Sequence, residues 1–198
     1  QSRSSAASDV YKRQVEYIWG HNEYKSKSKA VYGNATYSIS DSLRVNAGLR
    51  SNEDSKGRLG ATNTWDDTLW KVAIESDINE DMMIYATAST GFRAGGANNA
   101  GVVALLAEEG IDAALYDPEF VTALEFGIKS VMQDGRLILN AAAFSNDYSD
   151  MHAQSFIVLN NGASEYTMNG GQVDASGLEV EFQWAPTDQW YISGNFCL

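Results

Sequence analysis

The sequence predicts an all-β protein, an antiparallel up-and-down meander of about eight long strands that forms part of a transmembrane β-barrel and is, by itself, an open and curved sheet. Apolar and polar side chains alternate with a period of two, which gives each strand one apolar and one polar side. The predicted strands are about 9–13 residues long, above the roughly 5–6 of soluble sheets and near the roughly 9–11 that cross a membrane. Tight turns alternate with long loops, as at the two rims of an outer-membrane barrel.

The clearest hairpin runs from Thr122 to Tyr148 and turns at residues 133–135, a Gln-Asp-Gly sequence. Glycine supplies the positive φ that such a tight turn needs. The polar sides of its two arms carry Glu125 and Lys129 among other residues. The apolar sides carry Leu124, Phe126, Ile128, Leu137, Leu139, Ala141 and Ala143.

The rest of the chain repeats this alternation. Further strands are predicted at Val31–Ile39, Leu43–Arg50, Trp65–Asp77, Met82–Gly91 and Val173–Trp184, with a last strand from Gln189. Tight turns are predicted at 40–42, 79–81, 133–135 and 186–188. Long loops are predicted at 52–63, 92–119 and 149–172, with one or two helical turns in Val102–Leu115. Residues 15–29 are predicted to hold a short strand followed by a basic loop.

The first 14 residues differ from the remainder of the chain. They are rich in serine and alanine, have no periodicity and lack the apolar stretch of a signal peptide. We expect residues 1–14 to be a non-native or disordered, adapter-like leader, and residues 15–198 to be the partial barrel domain. Because the last strand is interrupted, we expect the sequence to be a fragment of a longer protein.

Composition and charge exclude several classes of function. The formal net charge is −12, and a nucleic-acid-binding protein needs a basic patch, so nucleic acid is not a predicted partner. No apolar run approaches the roughly 20 residues of a membrane helix. That excludes a helical membrane protein but not a barrel, because alternating strands have an average composition. Cys197 is the single cysteine, so no intrachain disulfide is possible.

The polar sides of the strands allow more than one solvent arrangement. In a barrel they line a wet lumen in which opposite charges pair across strands. In a soluble β-sandwich, such as a glycan-binding module, they are the outer surface, and Leu178, Val180, Phe182 and Trp184 pack against a second sheet. A passive porin shares the alternation of the barrel. The charged residues concerned are Arg44, Arg50, Lys71, Glu75, Glu125, Lys129, Glu179 and Glu181.

Six segments carry a resemblance to a known family. They are YGNATYSISDSLRVNAGLR (32–50), YATASTGFRAGG (85–96), YDPE (116–119), LEFGIKS (124–130), GRLILNAAAFSNDYSDMHAQ (135–154) and SGLEVEFQWAPTDQW (176–190). In this order and spacing they resemble the barrel of a TonB-dependent outer-membrane receptor. None of the segments is diagnostic alone, and the resemblance covers about residues 28–198.

The resemblance implies a barrel of about 22 strands with a plugged lumen, located in the bacterial outer membrane. It implies TonB-powered uptake of a scarce nutrient, such as a ferric siderophore, haem or cobalamin, and not an enzymatic activity. The implied partners are the receptor's own plug domain, the TonB complex, outer-membrane lipid and a small-molecule cargo. We find no plug and no TonB-contacting segment here, and expect both to lie outside this sequence.

Five residues at loop ends are candidate ligand contacts. Phe92 and Arg93 leave the fourth predicted strand for the long loop. A planar cation such as Arg93 suits an anionic ligand, although it could instead pair within the wall while the following glycines end the strand. The remaining candidates, Tyr116 in the YDPE segment and His152 and Gln154 at the start of the last long loop, are predicted to lie on the same rim.

No catalytic, cofactor-binding or metal-binding residues are predicted. A histidine near a methionine is compatible with haem or metal, but a lone histidine is also ordinary polar surface. His21 and His152 have no metal-ligand spacing between them. Glu179 and Glu181 share one side of a strand, but nothing nearby supplies a nucleophile or an environment for general acid catalysis.

Overall fold

The computed structural model describes residues 24–58, 61–159 and 162–198, and most of these residues lie in strands. The predicted leader at 1–14, the start of the next segment at Val15, His21 and the pair 160–161 lie outside the described residues. In chain order the described elements are β1 Tyr24–Ser38, β2 Leu43–Arg58, β3 Ala61–Asn79, β4 Met82–Arg93, β5 Gly96–Ala97, α1 Ala100–Glu108, β6 Leu115–Tyr116, β7 Glu119–Met132, β8 Leu137–Ser149, β9 His152–Leu159, β10 Gly162–Asn169, β11 Val173–Thr187 and β12 Trp190–Cys197.

Eight long strands form one antiparallel sheet in the order β1-β2-β3-β4-β7-β8-β11-β12. Sequence neighbours are spatial neighbours throughout, which confirms the predicted meander. Within the described residues β1 and β12 are the two edges, so the sheet is open. The short pairs β5–β6 and β9–β10 form separate two-stranded sheets, and both belong to the long connections.

The tight turns after β1, β3, β7 and β11 lie together on one rim, because these four alternate strands of the antiparallel meander run in the same direction. The turn after β7 is confirmed: Gln133, Asp134 and Gly135 all have positive φ, at 56°, 55° and 86°. Two other turns are stabilised by short polar side chains. Ser40 Oγ accepts a hydrogen bond from the Leu43 amide at 3.1 Å, and Asn79 Oδ1 accepts one from the Asp81 amide at 2.9 Å.

Two predicted loops prove to be strand. The predicted loop at 52–63 is wrong, because β2 continues to Arg58 and β3 begins at Ala61. The predicted basic loop before Val31 is also wrong from Tyr24 onward, where β1 pairs with β2 residue by residue. The physical reason is that backbone ladders do not require apolar side chains. Beyond the apolar region the strands continue with polar residues on both sides.

The other long connections are more ordered than the sequence suggested. The helical turns predicted in Val102–Leu115 are confirmed as α1, although the helix covers Ala100–Glu108 and Leu115 lies in β6. The predicted loop at 149–172 is partly wrong, because it contains the β9–β10 hairpin, in which His152 pairs with Asn169. Thus the loop rim holds folded structure of its own.

The apolar sides of the main-sheet strands form a continuous band, here called the apolar band. On β1 to β3 its last row towards the loop rim is Gly33, Leu49 and Trp70, aligned by the strand register. Ile74 and Phe126 in this band are 50% and 58% exposed. The band also includes Leu178, Val180, Phe182 and Trp184, on one side of the eight-stranded sheet.

The sandwich alternative is therefore wrong for the described residues. Its four core residues do not pack on a second sheet, and Leu178, Phe182 and Trp184 are 41%, 36% and 36% exposed. On the opposite, polar side, a single cavity is lined by residues from Asn34 on β1 to Glu179 on β11. A cavity shared by such distant strands requires the sheet to curve around its polar side, as a barrel wall does.

At three cross-strand positions in the described wall, an aromatic ring packs directly over a glycine of the neighbouring strand. Tyr85 lies opposite Gly127, and a Cβ on that glycine would be 2.5 Å from the ring. Phe144 covers Gly177 and Phe182 covers Gly194 in the same way. An aromatic ring that folds over a cross-strand glycine replaces the packing that the missing side chain cannot supply.

Candidate functional site

On the polar side of the wall, charged side chains near the turn rim form ion pairs between neighbouring strands. Arg44 on β2 donates to Glu75 at 2.5 Å and to Asp77 at 2.7 Å, both on β3. Its third contact is the sulfur of Met83 on β4, at 2.9 Å. The sequence placed Arg44 and Glu75 on one side, and the register brings them directly opposite each other.

A second polar group lies in the middle of the wall. The Tyr85 hydroxyl donates to Glu125 Oε1 at 2.6 Å, and the Lys129 ammonium lies 5.5 Å from the centroid of the same ring. A cation at this distance from an aromatic face is attracted by the ring quadrupole. Glu125 and Lys129, both on β7, thus contact the same tyrosine of β4, so polar contacts cross between these two strands on the inner side of the wall.

At the loop rim, Lys56 fixes the chain that leaves β4. Its ammonium donates to the carbonyl oxygens of Ala94 and Gly95 at 2.9 and 2.8 Å. Lys56 lies on the extension of β2 beyond the apolar band. Burial, followed by the nearby charge of Arg93, lowers the pKa of Lys56 below its ordinary value.

The glycines after Arg93 permit close packing of the loop. A Cβ on Gly95 would lie within 2.3 Å of the Tyr116 carbonyl oxygen, and one on Gly96 would meet the Tyr116 ring. The β5–β6 pairing, Gly96 opposite Tyr116, depends on this approach. The FRAGG segment therefore ends a strand, and it also seats a tyrosine against its backbone.

Two asparagines join the long connections into one unit, here called the loop cluster (residues 94–118, 150–159 and 162–170). Asn98 donates to the carbonyls of Ala113 and Thr167 at 2.8 and 2.7 Å and accepts from the Thr167 amide at 2.8 Å. Asn169 accepts from the Asp117 amide at 2.7 Å and donates to the Asp117 and Asp150 carbonyls at 3.0 and 2.8 Å. Sequence reasoning missed both residues, because asparagine in a long polar connection resembles ordinary turn chemistry.

The loop cluster has a small apolar core. Leu106 on α1 has no exposed surface and packs with Val102 and Ala113. Ile157 of β9 and Tyr166 of β10 pack against this core. Asn99, the residue before α1, caps the helix: its side chain accepts a hydrogen bond from the Gly101 amide at 2.9 Å.

The structure brings Tyr116 and His152 together. Their rings meet edge to face, with centroids 4.9 Å apart. His152 Nε2 lies 2.7 Å from the Asp117 carbonyl, to which it donates, since a carbonyl only accepts. The backbone amide of His152 donates to Glu119 Oε2 at 2.7 Å. This aromatic pair is held in a defined orientation at the junction of the loops with the wall.

The other three candidates lie apart from this pair. Arg93 is exposed at the polar end of β4, opposite Glu119 on β7. Gln154 is exposed on β9, opposite Thr167. Phe92 lies on the side of the apolar band, where its ring contacts Phe120 with centroids 5.7 Å apart. Ligand contact by any of the five candidates stays a prediction.

The described residues offer little for metal chemistry. Among them, no three His, Cys, Asp or Glu side chains converge as a metal ion would require.

In the same part of the chain, no helix combines the length and apolar character needed to cross a membrane.

Comparison with known proteins gives a family for this architecture. The family described as TonB dependent receptor-like, beta-barrel, matches residues 2–196. The pesticin receptor of Yersinia pestis is 25% identical over 196 residues, covering 91% of this chain and 27% of that protein.

Two solved structures show the same fold. The ferric yersiniabactin uptake receptor FyuA from Yersinia pestis matches with a TM-score of 0.64 and 22% identity, over 89% of this chain and 27% of that one. The pyoverdine outer membrane receptor FpvA from Pseudomonas aeruginosa PAO1 matches with a TM-score of 0.68 and 18% identity, over 89% and 25%. The chain thus spans about a quarter of the length of these relatives. It belongs to the TonB-dependent receptor family, as part of the β-barrel of a bacterial outer-membrane protein.

Proposed function

We propose that the receptor containing this chain captures a scarce nutrient, such as a ferric siderophore, and imports it with energy delivered through TonB. The chain supplies eight strands of the barrel wall and the loop cluster above them. The observation that carries the proposal is the loop cluster itself, which has its own core and holds polar and aromatic groups over a charged lumen. Of the compared relatives, FyuA is described as the ferric yersiniabactin uptake receptor and FpvA as a pyoverdine outer membrane receptor bound to pyoverdine.

Four of the five candidate residues have suitable chemistry for such a cargo. Arg93 is an exposed planar cation at the mouth, suited to the carboxylate or phenolate groups of an iron chelate. Tyr116 and His152 offer adjoining ring surfaces, and Gln154 offers an amide on the exposed side of β9. Phe92 shares the lipid-facing side, and we propose that its contact with Phe120 supports the strand end on which Arg93 lies.

The plug domain and the TonB complex are the proposed protein partners. The lumen side of the wall carries the Arg44–Glu75–Asp77 group and the Tyr85–Glu125–Lys129 group. The side chains within each group contact one another, yet both groups remain in part open to solvent, as a wet contact surface for a plug would be. Release of cargo would require the plug to move against this surface.

Uptake by cells tests the proposal. The receptor containing this chain would be produced in bacteria that lack their own iron receptors. Radioactive iron uptake would then be measured with ferric yersiniabactin and ferric pyoverdine as probes. We expect at least one of them to be taken up, and a protonophore or loss of TonB to abolish that uptake. Uptake that persists without TonB would show a passive pore and overturn the proposal.

Substitutions at the mouth test the contact residues. We expect Arg93→Gln and the double variant Tyr116→Ala/His152→Ala to weaken binding of the transported chelate by about tenfold, since a charge-assisted contact contributes roughly 1.5–3 kcal/mol. Phe92→Leu is the matched control, because it changes the same strand end on the lipid-facing side. Equal losses in all three variants would contradict a specific role for the mouth residues.

A further inference from the structure

Lys56 lies where the strand ladders of the wall separate. The β2–β3 pairing continues to Arg58 opposite Ala61. The β3–β4 pairing, in contrast, reaches only Lys71 opposite Ser89. Beyond that row, no strand ladder within the described residues joins the β2–β3 extension to the chain that leaves β4. Lys56 makes a side-chain connection across this gap.

The connection is directed at the two residues immediately after β4. The Lys56 ammonium donates to the carbonyl oxygens of Ala94 and Gly95 at 2.9 and 2.8 Å, and hydrogen bonds from a charged donor are stronger than neutral ones. Trp65 on β3 supports the same point, because a Cβ on Gly95 would lie 2.9 Å from its ring. Ala94 and Gly95 are both buried. The β2–β3 extension therefore fixes this short segment through one lysine and one tryptophan.

The fixed segment leads directly to the Tyr116–His152 ring pair. Gly96 follows Gly95 and lies opposite Tyr116 in the β5–β6 pair. The Tyr116 ring occupies the place where a side chain on Gly96 would be. The same ring meets that of His152 edge to face, with centroids 4.9 Å apart. The position of the ring pair therefore depends on the path of residues 94–96.

Arg93 does not depend on Lys56 in this way. It is the last residue of β4, and its backbone pairs with Glu119 on β7. The β4–β7 ladder thus fixes the backbone of Arg93 before the chain reaches the segment that Lys56 contacts. Because Arg93 and the ring pair are held by different interactions, an experiment can separate the effect of Lys56 on each.

We propose that Lys56 is a positioning residue of the ligand site, which holds the Tyr116–His152 ring pair in place without contacting the cargo. The inference rests on the proposed function, because it names the residue that orders two of the candidate contacts. The Lys56 side chain is half-buried and its ammonium is engaged with two carbonyl oxygens, whereas Arg93 is exposed. Loss of Lys56 should release the segment after β4 and loosen the ring pair, while Arg93 and the wall stay in place.

Hydrogen exchange of the purified receptor in detergent micelles, without cargo, tests the positioning step. We expect Lys56→Met to speed exchange in residues 94–98 and 115–117 by about tenfold or more, since hydrogen bonds to a charged group are lost. The amides of β4 and β7 should be unchanged, and Lys56→Arg should keep the protection. Lys71→Met is the matched control, because it removes an exposed lysine from the same side of the wall. Equal exchange in Lys56→Met and the unchanged receptor would overturn the proposal.

Binding of the transported chelate tests whether Lys56 acts through the ring pair. We expect Lys56→Met to weaken binding about fivefold, both alone and in the Arg93→Gln background, since residues joined through one set of contacts are coupled. In the Tyr116→Ala/His152→Ala background the same change should have no further effect, because the groups to be positioned are absent. A loss that persists in that background would show direct contact of Lys56 with the cargo and would contradict a positioning role.

The two proposals can fail separately. If the unchanged receptor binds neither iron chelate, the proposed function fails, and the exchange experiment without cargo still decides the role of Lys56. If the chelate binds but Lys56→Met leaves its affinity unchanged, the positioning role fails and the proposed function stands. Heat-modifiable migration in gels reports folding of each variant. Should Lys56→Met not fold, Lys56→Gln replaces it, and the proposal requires the same dependence on the ring pair.

Discussion

The barrel wall and the loop cluster are stabilised in different ways. In the wall, neighbouring strands are joined by long main-chain ladders, and most side chains are exposed on one side or the other. In the loop cluster, Leu106 is fully buried, and Asn98 and Asn169 each bridge separate segments through their side chains. The described wall has no core of its own on either side of the sheet, whereas the loop cluster carries its own core.

This difference indicates where a substitution will be costly. When a side chain that faces lipid or an open lumen is truncated, the surrounding lipid or solvent takes its place, so no internal cavity is left. A side chain inside the loop cluster leaves a cavity or an unpaired backbone group, as in a soluble protein. Matched substitutions in the two regions therefore separate the two kinds of stabilisation.

The largest effect is expected from Leu106→Ala. Truncation of a fully buried leucine costs about 2–5 kcal/mol, which should open the loop cluster while the wall stays folded. Hydrogen exchange of the receptor in detergent micelles should show faster exchange in α1, β9 and β10, with the amides of β2 and β3 unchanged. Leu49→Ala is the matched control, because Leu49 is 63% exposed in the apolar band. Equal protection loss in the wall would contradict the separation of the two regions.

A smaller effect is expected from Asn98→Ala. The substitution leaves the Thr167 amide and carbonyl without their partner, at a cost of about 1–3 kcal/mol. Opening of β10 relative to β6 should become measurable as faster exchange of the Thr167 amide. Asn46→Ala is the matched change in the wall, where the side chain accepts a hydrogen bond from Thr36 at an exposed position. A shift of about 0.5 kcal/mol or less is expected there, and a larger one would show that the lumen side is packed more tightly than we infer.

The smallest effect concerns Glu53, on the strand extension between the wall and the loop cluster. The hydrogen bond from Lys29, and then the lysine charge, lower the pKa of Glu53 below its ordinary value of 4.5. A lowered carboxyl pKa means that the pair stabilises the folded state above pH 4.5, and that this contribution is lost as pH falls through the lowered pKa. A carboxyl NMR titration should show the pKa of Glu53 rising towards 4.5 in Lys29→Met. Lys129→Met, on the lumen side, should leave the titration unchanged, and a shift there would contradict a local cause.

The sequence was sufficient for the wall because its signal is local. The alternation of Leu124, Phe126 and Ile128 with Glu125 and Lys129 defines two sides of a strand without knowledge of any other strand. The Gly135 turn follows from the same stretch, since the positive φ is a property of the residue itself. Strand ends were predicted less well. Glu53 and Lys56 belong to β2 and pair with neighbouring strands through the backbone, although their polarity resembles that of a loop.

The arrangement of the candidate site could not be predicted in this way, because it depends on contacts between distant segments. The sequence named Tyr116 and His152 separately, but their ring contact depends on the chain path that Gly95, Gly96 and Asn169 fix. The role of Asn98 left no local signal, because its partner Thr167 lies 69 residues further along the chain.

The sequence by itself determined the strand meander, the two sides of the wall and the rim on which the tight turns lie. These properties arise from residue spacing and turn chemistry, which act over a few residues. Only the tertiary structure decided the length of the strand extensions, the existence of a folded loop cluster and the pairing of Lys29 with Glu53 across β1 and β2. Each of these depends on register between strands or on contacts between distant segments, and the free energy of such contacts is not encoded in any single stretch of the chain.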